Sequence, residues 1–326
     1  MSTEAPISPP LRKKPVPVPE EPTPPSKALK IMTWNVAALR TIPSKLGTSE
    51  FQNKVPMNDV LNAFFKKYKV DIACIQEHKF SGWDKLDKEY ACVEGLFPTF
   101  SATNGAGYDS FWSFSGSGYA GVVTYARTGL TESFTDNPFS QEDRDKEIRA
   151  LTEGRCMLTH HSGFSILNIY APNAGRGPEH LERKMAFYNE LSSAMARWTE
   201  EGQKVVVTGD INTAHSDLDI YNPKKYGQET GYLEIERSWI STFLNDRKCK
   251  DVWREFNPGV RKYTFWDQRR CKSSFISVNL MAVMREKNCG WRIDVYYANE
   301  AIMKDVISSD ILNDVPLPRY SITNLR

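Results

Sequence analysis

The chain has 326 residues, with 42 Lys plus Arg against 40 Asp plus Glu and a formal net charge of +2. This near-balance gives no support to a uniformly basic nucleic-acid-binding domain, and 40% apolar with 12% aromatic residues excludes a disordered or collagen-like chain. No apolar run reaches the roughly 18 residues of a membrane span, the N-terminus lacks the apolar core of a signal peptide, and the six irregularly spaced cysteines include no C-x-x-C pair. The expectation is a soluble, intracellular protein with reduced cysteines and no zinc cluster.

Residues 1–27 hold nine of the nineteen prolines, as in KPVPVPEEPTPP, and predict an extended, disordered tail through residue 28. Its Arg12-Lys13-Lys14 run is a weak nuclear address or a solvated linker, and Pro19 to Pro22 gives a P-x-x-P match that a partner could read. From Leu29 the pattern becomes α/β. Strands are predicted at 30–36, 70–77, 119–126, 155–161, 164–171, 204–210, 263–266 and 291–298, and helices at 57–69, 180–198 and 238–246. Many strands with few helices between them predict an α/β fold of two packed sheets flanked by helices, rather than a doubly wound parallel sheet. GSGYAG (116–121) fits G-x-G-x-x-G, but a strand rather than a helix follows, so its glycines are assigned to a turn.

Several apolar strands end in polar residues: Asn35; Gln76, Glu77 and Lys79; Tyr170 and Asn173; Asp210 and Asn212. Asp294 sits inside an apolar strand. Buried carboxylates cost several kcal/mol unless paired or metal-bound, so these ends are expected to converge. Taken singly each has a plain structural reading. Glu77 can be a surface strand end, Asp210 a turn former, Tyr170 and Asn173 the flanks of a turn at Pro172, Trp291 a core residue, and Asp294 a partner of Arg292. Taken together, the oxygens of Asn35, Glu77, Asp210 and Asn212 suit Mg²⁺ or Mn²⁺ rather than zinc. Such an ion polarises a phosphoryl oxygen, an Asp accepts a proton from water, and Asn and Tyr donors stabilise developing charge.

On LKIMTWNVAALR (29–40), IQEHKF (75–80), NIYAPNAGRG (168–177), GDINTAHSDLDIYNP (209–223), YTFWDQR (263–269) and NCGWRID (288–294), the sequence resembles the exonuclease III type of apurinic/apyrimidinic endonuclease. The resemblance implies a four-layer α/β sandwich over 29–315 and Mg²⁺-dependent hydrolysis of the phosphodiester 5′ to an abasic site in double-stranded DNA by a monomer, expected in the nucleus with a mitochondrial or cytoplasmic location also open. It implies Glu77 and Asn35 as metal ligands with Asp210 and Asn212, Asp210 as proton shuttle, Asn212 as transition-state stabiliser and Tyr170 as the active-site tyrosine. Asn173 would lie near the phosphate, and Tyr119, Arg155 and Arg176 at the DNA. Phe265, Trp291 and Ile293 would wall the abasic-sugar pocket, and Asp294 would orient the family's histidine. An abasic nucleotide, lacking stacking, is cheap to extrude.

Three departures qualify this. Ala37 stands where W-N-V-x-G-L-R usually carries Asp or Asn. CKSSFISVNLM (271–281) resembles an insertion. The C-terminal S-D-H is missing, since no histidine lies beyond His215, and 316–326 reads as a divergent tail with the last strand absent or replaced. Two alternatives stay open: a phosphodiesterase of the same superfamily on another substrate, and a non-incising abasic-DNA-binding protein.

Overall fold

The computed structural model describes residues 28–42, 57–82, 107–139, 153–175, 177–266, 287–312 and 320–325. The Pro-rich stretch 1–27, the 271–281 segment and Arg176 lie outside the described residues.

Twelve strands form two six-stranded mixed sheets among these residues. The first sheet contains β1 (Leu29–Asn35), β2 (Ile72–Gln76), β3 (Tyr108–Ser113), β4 (Val122–Arg127), β11 (Val306–Ile311) and β12 (Tyr320–Leu325), in the order β11-β12-β1-β2-β4-β3. The second contains β5 (Thr131–Thr135), β6 (Cys156–His161), β7 (Phe164–Tyr170), β8 (Val205–Asp210), β9 (Cys249–Asp251) and β10 (Asp294–Asn299), in the order β5-β6-β7-β8-β10-β9. β1 and β2 run parallel, as do β7 and β8; the other pairs are antiparallel.

Side chains alternate across each strand with period two, and this alternation builds the layers. In β1, Met32 and Trp34 turn outward onto the amphipathic helix α1 (Met57–Tyr68), where Trp34 stacks on Phe64 with ring centroids 5.0 Å apart. Ile31 turns the other way and meets Ile166, Val206, Tyr296 and Ala298 of the second sheet. On the far side, Val205 and Val207 of β8 pack against Phe187, Tyr188, Leu191 and Met195 of α2 (Pro178–Glu200). After the one-turn helix α3 (Pro223–Tyr226), α4 (Glu234–Asp246) completes that outer layer with Ile240 and Phe243. The result is helix, sheet, sheet, helix, the expected sandwich.

Two expectations are corrected. Residues 263–266 do not form a strand. Phe265 makes a single bridge with Trp291, while Arg292 N–H turns to Asp219 O and Ile293 O accepts from Ile211 N–H, so each residue finds a different backbone partner and no ladder grows. The strand expected from Trp291 accordingly starts at Asp294. Of the two alternatives for the divergent C-terminal segment, a last strand absent or replaced, the second holds: Tyr320–Leu325 is β12, an inner strand paired to both β1 and β11. Among the described residues no helix is long and apolar enough to cross a membrane, and Cys74, Cys156, Cys249 and Cys289 are free thiols.

Candidate active site

The period-two rule locates the site. Asn35 follows Ile31 and Thr33 on the face of β1 turned toward the second sheet. Tyr170 follows Ile166 and Asn168, and Asp210 follows Val206 and Thr208, on the opposing face. Register puts Tyr170 beside Asp210 and Asp210 beside Asp294, a row across three strands. Asn35, Tyr170, Asp210 and Asp294 therefore converge at one end of the gap between the sheets. Each is at most 5% exposed.

Glu77 would point away from this gap if β2 continued one residue further. Its backbone instead turns through φ 57°, the left-handed region, and brings the carboxylate round. Ala37, Ala38, Lys79 and Asn212 also have positive φ, so five of the eight such non-glycine residues among those described lie in the loops around this site. Strained backbone of this kind concentrates at functional sites. Ala38, at φ 131°, stands where the W-N-V-x-G-L-R pattern has glycine, which the sequence reading passed over.

Asn35 joins the two sheets. Its Nδ2 donates to Glu77 Oε1 and to Asp210 Oδ2, both at 2.8 Å, while its Oδ1 accepts from Ala37 N–H at 3.0 Å. Two bonds from one nitrogen hold the carboxylate oxygens about 5 Å apart. In this geometry Asn35 turns its nitrogen toward the two carboxylates and spaces them apart. Lys79 Nζ lies 3.0 Å from Glu77 Oε2. Asp210 Oδ1 accepts from Asn212 N–H at 2.8 Å, Asn212 Nδ2 donates to Ala171 O, and Asn173 Nδ2 reaches Asn212 Oδ1 at 3.3 Å. Gly209 is required before Asp210, because a Cβ there would lie 2.0 Å from Ile169 O.

Arg155, 6% exposed, donates to Tyr170 O at 3.1 Å and lies over the Tyr170 ring. Burial, with the nearby Glu77 and Asp210 carboxylates and Tyr119, holds the Tyr170 hydroxyl protonated well above its ordinary range, so it can donate but not act as a base. Tyr119 is 59% exposed. Trp291 and Ile293 pack with Ala214, Ile220, Tyr226 and Tyr232, and Phe265 lies against that cluster. Asn35, Glu77, Tyr170, Arg155, Asp210, Asn212 and Asn173 are thus joined by hydrogen bonds or strand register, while Phe265, Trp291 and Ile293 form a separate apolar cluster.

Asp294 does not pair with Arg292. Arg292 is bound by Asp219 at 2.7 Å and Asp251 at 2.5 Å. Burial alone would raise the Asp219 pKa, but Arg292 and Arg254 hold it well below the usual carboxylate range. Asp294 N–H donates to Thr264 Oγ1 at 3.2 Å. All five histidines are engaged elsewhere: His78 with Ser113 O and Phe80 N–H, His160 with Ser165, His161 with Thr159, His180 with Glu179 and His215 with Ser241. His78, next to Glu77 in sequence, is core. Burial lowers its pKa to about 4, and a Cβ on Gly121 would lie 2.2 Å from its ring.

Several supporting residues carried no sequence signal. Lys184, fully buried in α2, donates to Asn212 O at 2.8 Å, Thr213 Oγ1 at 2.7 Å and Glu236 Oε1 at 2.6 Å. Glu236 in turn accepts from Gly231 and Leu233 N–H, and Tyr188 OH donates to Ile211 O. These bonds fix the loop bearing Asp210 and Asn212. Beneath the site, Gln76 Nε2 donates to Asn168 Oδ1 at 2.7 Å, a buried link between the sheets. A lone mid-helix Lys looks in sequence like a surface residue, and only its burial reveals the role; Gln76 was visible as a polar strand end, but not as a link between the sheets.

The profile of the Endonuclease/Exonuclease/phosphatase family matches residues 32–311. The chain belongs to this family. It is 28% identical over 284 residues to recombination repair protein 1 of Drosophila melanogaster, covering 87% of this chain and 35% of the relative. It is 28% identical over 290 residues to an exodeoxyribonuclease of Streptococcus pneumoniae, covering 87% and 94%. It is 27% identical over 321 residues to DNA-(apurinic or apyrimidinic site) endonuclease 2 of Bos taurus, covering 87% and 57%. The chain thus spans about a third and about half of the fly and bovine relatives it matches. The fold is shared with the AP endonuclease LMAP of Leishmania major at a TM-score of 0.70, with 24% identity and coverage of 93% and 89%. The matched region 32–311 contains Asn35, Glu77, Tyr170, Asp210, Asn212 and Asp294.

Proposed function

We propose that this family member is a divalent-metal-dependent DNA repair nuclease that hydrolyses the phosphodiester 5′ to an abasic site. The observation that carries this reading is the meeting of Glu77 and Asp210, from opposite sheets, on the single amide nitrogen of Asn35. The names of the exodeoxyribonuclease and the apurinic/apyrimidinic-site endonuclease relatives support DNA as the substrate.

Among the described residues no three Asp, Glu, His or Cys side chains form a metal-holding group. The donors present are two carboxylates and neighbouring amide oxygens, a set that fits a hard ion retaining several waters, as Mg²⁺ or Mn²⁺ does. Glu77 would hold it directly, and Asp210, across the Asn35 amide from it, would meet it through a retained water. When bound, the ion would polarise a phosphoryl oxygen and stabilise the leaving oxygen.

The chain's own residues supply the rest. Asp210, fixed by Asn35 and by Asn212 N–H, presents a carboxylate that can accept a proton from the attacking water. Tyr170, kept protonated, donates to phosphate oxygen, and Arg155 fixes its ring. Asn173 and Asn212 brace one another beside it. Trp291, Ile293 and Phe265 offer an apolar wall for a base-free sugar.

The test is incision of a duplex carrying one abasic site, with Mg²⁺ and with EDTA, by the full chain and by Glu77→Ala. Ion-dependent incision 5′ to the site, lost in Glu77→Ala, is expected. A folded chain that binds this duplex in a salt-sensitive manner and leaves it intact would instead establish a binding protein. The engagement of all five histidines away from Asp294 is the observation that favours that second reading.

A further inference from the structure

The segment Glu77-His78-Lys79 is built to place a cation on the principal carboxylate. Glu77 and Lys79 both have left-handed backbone, φ 57° and 61°. His78 between them is drawn inward by Ser113 O and by Phe80 N–H, and its own N–H donates to Gly121 O. With the central side chain anchored in the core, the two flanking side chains are left together on the side of the site, 3.0 Å apart. The Glu77 carboxylate then has one oxygen on the Asn35 amide and the other on the Lys79 ammonium. Lys79 is 30% exposed and Glu77 12%, so the lysine can leave toward solvent while the carboxylate stays.

We propose that Lys79 is a resident counter-ion that competes with the divalent cation for Glu77 and thereby sets the ion concentration at which the site fills. This rests on the reading of Glu77 as a metal ligand. An ammonium on a ligand oxygen repels an incoming dication and must be displaced. Partial exposure screens that repulsion, so removing it should tighten the site by about three- to tenfold rather than by orders of magnitude.

The experiment is calorimetric titration of the DNA-free full chain with Mn²⁺, comparing wild type, Lys79→Met, Lys79→Gln, Lys79→Arg and Glu77→Gln. Thermal melts confirm that each is folded, and the two neutral variants guard against loss of one. The expected result is Mn²⁺ binding that is lost in Glu77→Gln, tightened about three- to tenfold in Lys79→Met or Lys79→Gln, and near wild type in Lys79→Arg. Glu77-dependent binding that is unchanged or weaker in the neutral variants overturns the role of Lys79 and leaves the metal site standing. Absence of any Glu77-dependent binding in all five proteins overturns both.

Discussion

Replacing Asn35 by Asp tests the spacer role directly. The native amide donates to two carboxylates that face one another from opposite sheets. Asn35→Asp exchanges that donor for a third acidic group at hydrogen-bond distance from both. Bonds to charged groups contribute about 1.5–3 kcal/mol each, so losing two costs about 3–6 kcal/mol, a large share of a typical folding free energy. The introduced carboxyl can relieve this by taking up a proton. Its pKa is therefore raised in the folded state, and the protonated form restores one donor. The sign follows: the deficit relative to wild type is largest at alkaline pH and shrinks as pH falls through the raised pKa. Urea denaturation followed by tryptophan fluorescence at pH 8 and pH 5.5, without divalent ions, measures both quantities. Equal midpoints at pH 8, or a deficit that grows on acidification, would refute the reasoning.

Other expectations follow from burial. Lys184→Met leaves Glu236 uncompensated in the core and should cost about 3–5 kcal/mol in denaturant unfolding, with Lys184→Met/Glu236→Leu less destabilised than the single variant. His78 and His161 are lowered from 6.5 to about 4 by burial. A base with a depressed folded pKa contributes stability that is present above pH 6.5 and lost as pH falls toward 4, about 3 kcal/mol for each; in His161→Gln, proton uptake on unfolding in that window should fall by about one. Gln76→Leu should cost about 2–4 kcal/mol by stranding Asn168 Oδ1. Gln76→Leu/Asn168→Leu should cost less than the sum of the singles, and strict additivity in the double-mutant cycle would count against a coupled link.

The strands most legible in the sequence are the inner ones. Buried on both faces, KIMTWNV, ACIQ, SILNIY and VVVTGD are near-continuous apolar runs. Four of the five unpredicted strands, β3, β5, β9 and β11, are the four sheet edges. An edge has one paired neighbour and much exposed surface, so TESFT and VISSDI carry little apolar signal, and CKD is too short to show a period. β12 is missed for another reason: YSITNL becomes a strand only because β1 and β11 leave a place between them. The converging residues were legible because polar groups ending apolar strands are conspicuous. The position of Glu77 was not, since it depends on a left-handed turn that no pattern announces.

That late-sequence strand has a kinetic consequence. β12 lies between β11 and β1, with Leu325 opposite Leu29 and Tyr320 opposite Trp34, so the first strand in the chain waits for one of the last. Closing so long a loop is entropically slow, and pairings of high sequence separation delay folding. Until β12 arrives, one edge of β1 offers unpaired backbone beside Ile31, Met32 and Trp34, residues that are buried in the finished fold. Such an open apolar edge is a template for pairing with other chains. The vulnerable interval of this protein is thus the time between forming β1 and β2 and seating β12, when self-association competes with completion of the sheet.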